Sequence, residues 1–297
     1  MDDLGKTKAW ILAARPKTLA ASASPVVAAS ALAWRDGAFD ALPALLCLGV
    51  ALLAQIAANL ANDYFDFKKG ADDETRLGQP RAVASGWIAP KTMLVAALAT
   101  LAAACLCGCG LLSFGPWRVL LPVGAAVALC VPAYSAGPYP LAYKGWGDVC
   151  VLLFYGIVPV CFTYYVQARA FTADAAWLSL ALGFLSVNIL LVNNYRDVAQ
   201  DRAAGKRTTV VIFGRRFGRA LYLADALLAV ACAWPAYWRL DWRWWLPFLA
   251  FAALQLSTWR GMVRRDGAAL NGTLEQTARN VFLFALLLAA ALSPLAS

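Results

Sequence analysis

A polar block that closes a long apolar run, Asn193-Asn194-Tyr195-Arg196-Asp197-Val198-Ala199-Gln200-Asp201, carries the most telling spacing in the chain. In a helix, residues four apart drift only about 40° around the axis and rise about 6 Å, so Asn193, Asp197 and Asp201 form one stripe of oxygen ligands. A cousin, Asn62-Asp63-Tyr64-Phe65-Asp66, also ends an apolar run, and the Asn62–Asn193 and Asp66–Asp197 offsets are both 131 residues. Asn62 and Asp66 share a face, with Asp63 beside them. Each block leads into a loop that mixes acid, base and glycine. The first contains Lys68, Lys69, Gly70, Asp72, Asp73, Glu74, Arg76 and Arg81; the second contains Arg202, Gly205, Lys206, Arg207, Arg215 and Arg216. Acid alone suits a cation, whereas acid interleaved with bases suits a cation that bridges to phosphate. Mg²⁺ with a diphosphate fits both blocks, because this hard ion takes oxygen ligands and typically uses one or two carboxylates plus substrate phosphates. The sequence has 0 histidines, which removes imidazole-ligated haem or zinc and histidine-based triads.

The elements that must position these blocks are membrane spans. Of 297 residues, 62% are hydrophobic and only 14% charged, a polytopic membrane balance rather than a soluble one. Uncharged stretches beyond the roughly 17 to 25 residues needed to cross a bilayer lie between Asp40 and Asp63, Lys91 and Arg118, Arg118 and Lys144, Asp148 and Arg169, Asp174 and Arg196, and after Arg279. Shorter candidates run from Thr18 to Trp34, Ala220 to Trp238 and Trp244 to Trp259, which brings the expected number of spans to nine. The net charge of +9 would suggest nucleic acid in a soluble protein, but here its distribution reports topology. With the N-terminus inside, inner segments hold 21 Lys and Arg and outer loops five, so the positive-inside rule puts the N-terminus and both acidic blocks in the cytoplasm. Trp34, Trp117, Trp177, Trp242, Trp244 and Trp245 then lie at the outer boundary, where indole rings favour headgroup level. The start, Met1-Asp2-Asp3-Leu4-Gly5-Lys6, lacks the basic opening and cleavage site of a secretory signal, so the first span is expected to be retained. The eight cysteines are scattered through apolar segments and read as small packing residues.

Other stretches add candidates. Pro16 suits the first turn of a helix, which places Arg15 and Lys17 near its positive end, either as inner anchors or as holders of an anionic ligand. Residues 131 to 145 hold three prolines and two glycines, and irregular backbone at this depth is tolerated mainly where it is buried or lines a cavity. Lys144 is the base of that loop, and Tyr134 and Ser135 can donate hydrogen bonds to ligand oxygens. Asp225 lies within a span, where an acid is a functional candidate by default.

On the residues Arg15-Pro16-Lys17-Thr18, Asn62 through Gly70, Arg76-Leu77-Gly78, Arg81 through Gly86, Gly137 through Leu141, and Asn193 through Asp197 with Arg207-Thr208, the chain resembles the UbiA superfamily of intramembrane prenyltransferases over nearly its whole length. The resemblance implies an all-α bundle of about nine transmembrane helices around a central cavity, as one domain over residues 1–297 of a bacterial cytoplasmic membrane protein. It implies Mg²⁺ held by Asn62, Asp63, Asp66, Asn193, Asp197 and Asp201. Many members have a third acid where this chain has Gly70, and Asp72 or Asp73 is the candidate replacement. Arg81 and Lys144 would hold diphosphate oxygens, with Lys68, Arg76 and Arg207 as further diphosphate candidates, and Asp66, Asp197 and Lys144 would form the catalytic set. Arg15 or Lys17 would hold the carboxylate of an aromatic acid acceptor, with Tyr134 and Ser135 also toward the acceptor. In the family's naphthoate branch a polyprenyl group passes from polyprenyl diphosphate to 1,4-dihydroxy-2-naphthoate with loss of CO₂, a step of menaquinone synthesis.

A 4-hydroxybenzoate polyprenyltransferase differs from this reading in acceptor and not in diphosphate chemistry. Haem O synthesis fits poorly, because a haem substrate leads one to expect histidine. A secondary transporter of an anionic metabolite would also show broken helices and a weak repeat, but it predicts charge sites near the midplane. Here the acids cluster at span ends on one side, which favours an enzyme.

Overall fold

The computed structural model describes residues 5–70, 77–238 and 240–293. Among these residues every regular element is helical. A short helix α1 (Lys6–Ala14) ends at Arg15, whose φ of 53° places it in the left-handed region, and Pro16 then opens α2 (Pro16–Arg35) as the sequence predicts. α3 (Ala41–Lys68) is capped by Asp40, whose Oδ1 accepts from the Leu42 amide at 3.0 Å. Its 28 residues span about 42 Å, longer than the roughly 30 Å hydrocarbon layer, so its last turns, from Asn62 onward, project beyond the apolar zone.

α4 (Pro90–Leu111) runs back beside α3, and α5 (Trp117–Ser135) carries Pro122 and Pro132. Of the irregular stretch expected over 131–145, residues 131–135 stay helical as the end of α5 despite Pro132, and the rest is irregular apart from a 3-10 turn at Leu141–Tyr143. The next span is assembled from α6 (Gly147–Leu152), a π turn at Leu153–Ile157 and α7 (Val158–Ala168). The π turn lies where two backbones meet: a Cβ on Gly156 would stand 2.6 Å from both the Gly183 Cα and the Ser179 carbonyl oxygen. Only glycine permits that approach.

α8 (Ala173–Arg196) is the central pillar. Leu178, Ala181, Leu182, Leu185, Leu191 and Val192 are each 0% exposed. In its most apolar window 67% of residues are buried inside the protein, against 11% for α4 and for α5, so α8 stands in the middle and those two on the rim. The short α9 (Val198–Ala203) follows, then α10 (Thr209–Cys232), bent at Gly214 with φ 84°, the short α11 (Trp234–Tyr237), α12 (Trp245–Arg264) and α13 (Leu270–Ala291). The main core joins α2, α7, α8 and α10 through α13, and a second core joins α1, α3 and α4 with residues 82–88. Exposed Leu45, Leu98, Leu106, Leu129, Leu227 and Leu249 face outward, as lipid contact requires.

Among the described residues six helical spans are long and apolar enough to cross a membrane. The three shorter candidates of the sequence correspond to α2, α10 and α12, helices of 20, 24 and 20 residues outside that set of six. Each carries Pro, Arg or Asp along its length, which lowers its hydropathy.

Gly156→Ala is expected to lower stability by about 1–3 kcal/mol through overpacking against α8. Gly108→Ala, at a position where a Cβ meets nothing within 4 Å, should leave it unchanged. Thermal unfolding of the two variants in detergent checks the contrast.

Candidate active site

The ends of α3, α5 and α8 converge on a cavity of about 940 Å³. Asn62 and Asp66 line it from α3, and Asn193, Asp197 and Asp201 line it from α8 and α9. The helix predicted to run through Asp201 is interrupted at Asp197 (φ −94°, ψ 13°), yet the Asp197 amide donates to the Asn193 carbonyl at 3.0 Å and the Asp201 amide to the Asp197 carbonyl at 2.8 Å. The four-residue register survives the break, so the stripe keeps one face.

Each acidic stripe is matched by a buried arginine. Arg81 Nη2 donates to Asp66 Oδ2 at 3.0 Å, with both side chains buried. Arg196 Nε donates to Asp197 Oδ1 at 2.7 Å and its Nη2 to Asp197 Oδ2 at 2.5 Å, a bidentate pair. Arg196 Nη2 also donates to Asn193 Oδ1 at 2.9 Å. Arg196 was not singled out in the sequence although it stands inside the motif. Its place next to Asp197 hid the wrap-around geometry, because adjacent residues on a regular helix point apart. Lys206 lines the cavity and pairs with Asp201 at 3.3 Å. Burial pushes the Asp201 carboxyl above the usual range, Lys206 opposes that push, and Asp197 adds to it. The Lys69 ammonium donates to the Ser135 carbonyl at 2.5 Å and lies over the Tyr143 ring at 4.5 Å, with Lys206 over the same ring at 4.9 Å. Burial holds Lys69 below the ordinary lysine range, with Asp66 opposing and Lys206 reinforcing.

Several expected site residues take other positions. Asp63, expected as a metal ligand, does not line the cavity: it is 2% exposed and its oxygens accept from the Ala82 and Val83 amides at 3.0 and 3.2 Å. The cause is the start of the turn at 82–88, where Ala82 and Val83 are buried and their amides need an acceptor. Lys144, expected on the diphosphate, is exposed on the outside of its loop, 5.5 Å from the Tyr139 ring centroid, because the 3-10 turn before it directs Tyr143 into the cavity instead. Lys68 and Arg207 are exposed and outside the lining; the Arg207 amide donates to the Tyr143 carbonyl at 3.0 Å. Asp72 and Arg76 lie outside the described residues. Arg15, Lys17, Tyr134 and Ser135 all line the cavity; Ser135 donates to Asn62 Oδ1, and Lys17 pairs with Glu275. Asp225 is buried in α10 and does not reach the cavity.

Deeper in, a polar group unremarked in the sequence interrupts the apolar wall. Ser22 donates to Gln55 Oε1 at 3.0 Å, Gln55 Nε2 donates to Asn59 Oδ1 at 3.1 Å, Asn59 Nδ2 donates to Thr18 Oγ1 at 3.0 Å, and the Tyr155 hydroxyl donates to Gln55. Gln55, Asn59 and Asn62 recur at helical spacing on α3, the signal from which this wall was legible.

Among the described residues no three acidic or sulfur side chains gather around one point. The donor set is two separated carboxylate and carboxamide groups facing one space. That fits Mg²⁺ completed by substrate phosphate and does not fit an all-protein cage.

Fold and site together define an intramembrane helical enzyme whose paired acidic stripes overhang an apolar chamber. The chain matches the UbiA prenyltransferase family model over residues 22–287 and belongs to that family. It is 38% identical over 288 residues to 1,4-dihydroxy-2-naphthoate octaprenyltransferase of Mycobacterium tuberculosis, covering 96% of each chain. It is 34% identical over 291 residues to the enzyme of that name from Escherichia coli, covering 96% of this chain and 94% of the other. Among solved structures, a UbiA homologue from Archaeoglobus fulgidus bound to DMAPP and Mg²⁺ superposes with a TM-score of 0.67 at 16% identity, covering 95% of this chain and 98% of that one. That likeness establishes the fold.

Asp63→Ala is expected to orphan two buried amides and destabilise the protein by about 1–3 kcal/mol. Asp63→Asn, which keeps one acceptor oxygen, should recover part of the loss, as read by thermal unfolding.

Proposed function

We propose that this protein transfers a polyprenyl group from polyprenyl diphosphate to 1,4-dihydroxy-2-naphthoate, with decarboxylation, in a bacterial cytoplasmic membrane. The observation that carries the reading is the juxtaposition of Asn62 and Asp66 with Asn193, Asp197 and Asp201 around one chamber whose remaining wall is largely apolar. Relatives named for naphthoate prenylation align over nearly the full chain, which favours that acceptor over hydroxybenzoate.

In this mechanism Asn62, Asp66, Asn193, Asp197 and Asp201 would hold Mg²⁺, directly or through water. When bound, the ion would supply Lewis-acid stabilisation of the leaving diphosphate. Arg81, Arg196 and Lys206, which line the chamber, add fixed positive charge where the phosphate oxygens accumulate charge as the allylic C–O bond breaks. The apolar wall, including Leu101, Val127, Phe154 and Phe162, excludes water from the allylic cation. The electron-rich naphthoate ring attacks that cation and loses its carboxylate as CO₂. Arg15 lines the chamber near the Thr18–Asn59–Gln55 group and would orient the acceptor's carboxylate; Lys17, paired with Glu275, stands nearer the mouth. Both acidic stripes lie at one end of their helices, unlike the midplane charges of a transporter.

Purified protein given a long-chain isoprenyl diphosphate, Mg²⁺ and either acceptor should prenylate the naphthoate. Asp66→Asn and Asp197→Asn should each lower kcat by about 10²–10³, the range for loss of one transition-state charge stabiliser. Transfer to hydroxybenzoate alone, or full activity in both variants, would refute the reading. The cytoplasmic placement has its own check in a cysteine-free background. A membrane-impermeant maleimide should label Arg35→Cys in intact spheroplasts but Arg202→Cys only after lysis.

A further inference from the structure

Asn271 stands in the first turn of α13, a helix that carries neither acidic stripe, and its carboxamide faces both halves of the site. Its Oδ1 accepts from Arg196 Nη1 at 2.6 Å, and its Nδ2 donates to the Leu77 carbonyl at 2.8 Å. The Arg196 guanidinium is the one bonded to Asp197 and Asn193. Leu77 opens the segment that carries Arg81, bonded to Asp66, and the two amides gripped by Asp63. A polar chain therefore crosses the chamber mouth from Asp66 through Arg81, the 77–81 backbone, Asn271 and Arg196 to Asp197.

We propose that Asn271 is a positioning residue for the diphosphate reaction, one carboxamide that sets the register of the two acidic stripes by holding Arg196 against the second and the Leu77 backbone beside the first. The proposal rests on the prenyl diphosphate reading of the site. A carboxamide suits the role because it offers an acceptor and a donor on one planar group. Aspartate keeps only the acceptor and alanine keeps neither, so two variants separate the two bonds.

The full-length protein and its Asn271→Ala and Asn271→Asp variants would be compared in lipid nanodiscs, first by hydrogen exchange without substrate. Both variants should speed exchange in peptides spanning 77–88, by about tenfold for a lost hydrogen bond. Peptides spanning 193–203 should speed up in the alanine variant only, because the aspartate variant still anchors Arg196. In steady-state assays the alanine variant should raise KM for the diphosphate about tenfold with kcat within about threefold. Wild-type exchange at 77–88 in both variants, or a KM within twofold of wild type, overturns the proposal. If the alanine variant does not fold, the aspartate variant decides alone through its loss of the Leu77 bond. Faster exchange at 77–88 in a protein that transfers no prenyl group to either acceptor leaves the latch standing and removes the reaction assigned to it.

Discussion

Carboxylates at the end of a membrane-spanning helix must be compensated where water is scarce, and the active end of this protein is built around that requirement. Asp66 meets Arg81, Asp197 meets Arg196 and Asp201 meets Lys206. Removing one partner of a buried pair leaves an uncompensated charge and typically costs about 3–5 kcal/mol, so each pairing constrains the backbone that delivers it. Arg81 reaches Asp66 only if residues 77–88 fold back over the end of α3, and the Asp63 carboxylate holds them there through two amides. The planar, five-donor guanidinium of Arg196 meets Asp197 with two parallel bonds and still reaches Asn193 and Asn271, which a lysine ammonium could not reproduce in the same geometry.

The same pairing explains which parts of the site were legible in the sequence. Oxygen ligands four residues apart at the ends of apolar runs reveal the two stripes, because helical periodicity carries side-chain direction directly into space. The bases could be counted from the loops but not placed. Lys144 is the phosphate ligand that the sequence suggests and Lys206 is not, yet the 3-10 turn at Leu141–Tyr143 turns Lys144 outward while Lys206 pairs with Asp201. Asp63 read as a further ligand because it sits beside Asn62 in the same motif, whereas the amides of buried Ala82 and Val83 claim it. Asn271 was invisible for a different reason: its partners lie 75 and 194 residues away, and no local pattern marks such a contact. The helices themselves followed hydrophobic run length, and the three less apolar ones, α2, α10 and α12, were anticipated only as short candidates.

The two halves of the bundle are packed to different standards, and the difference bears on what the chamber can hold. Around α8 the packing is tight enough that Gly156 and Gly183 bring two backbones together and even one added carbon would collide. Along α4 and α5 the opposite holds: a Cβ on Gly108 or Gly124 would meet nothing within 4 Å, although both glycines border the chamber. Glycine on this wall answers no steric need. The chamber is wide there because α5 buries little on either side, one face turned to lipid and the other to the cavity.

A long apolar substrate tail is the natural occupant of such a space, since it covers the inner face of α5 with the kind of surface that lipid offers the outer face. The charged group of that substrate cannot follow the tail inward without the desolvation cost that makes buried ions rare. On the proposed reading it stays at the mouth, where Arg81, Arg196 and Lys206 lie among the acids. In the proposed reaction the polarity gradient from chamber to mouth would set the direction in which an amphipathic diphosphate enters and the height at which its C–O bond is held. The Gln55–Asn59–Thr18 group, between these two zones and already hydrogen-bonded within itself, keeps the intermediate depth polar without leaving groups that demand a ligand. In the proposed reaction that is the depth at which a flat aromatic acid with oxygen substituents would lie beside the allylic carbon.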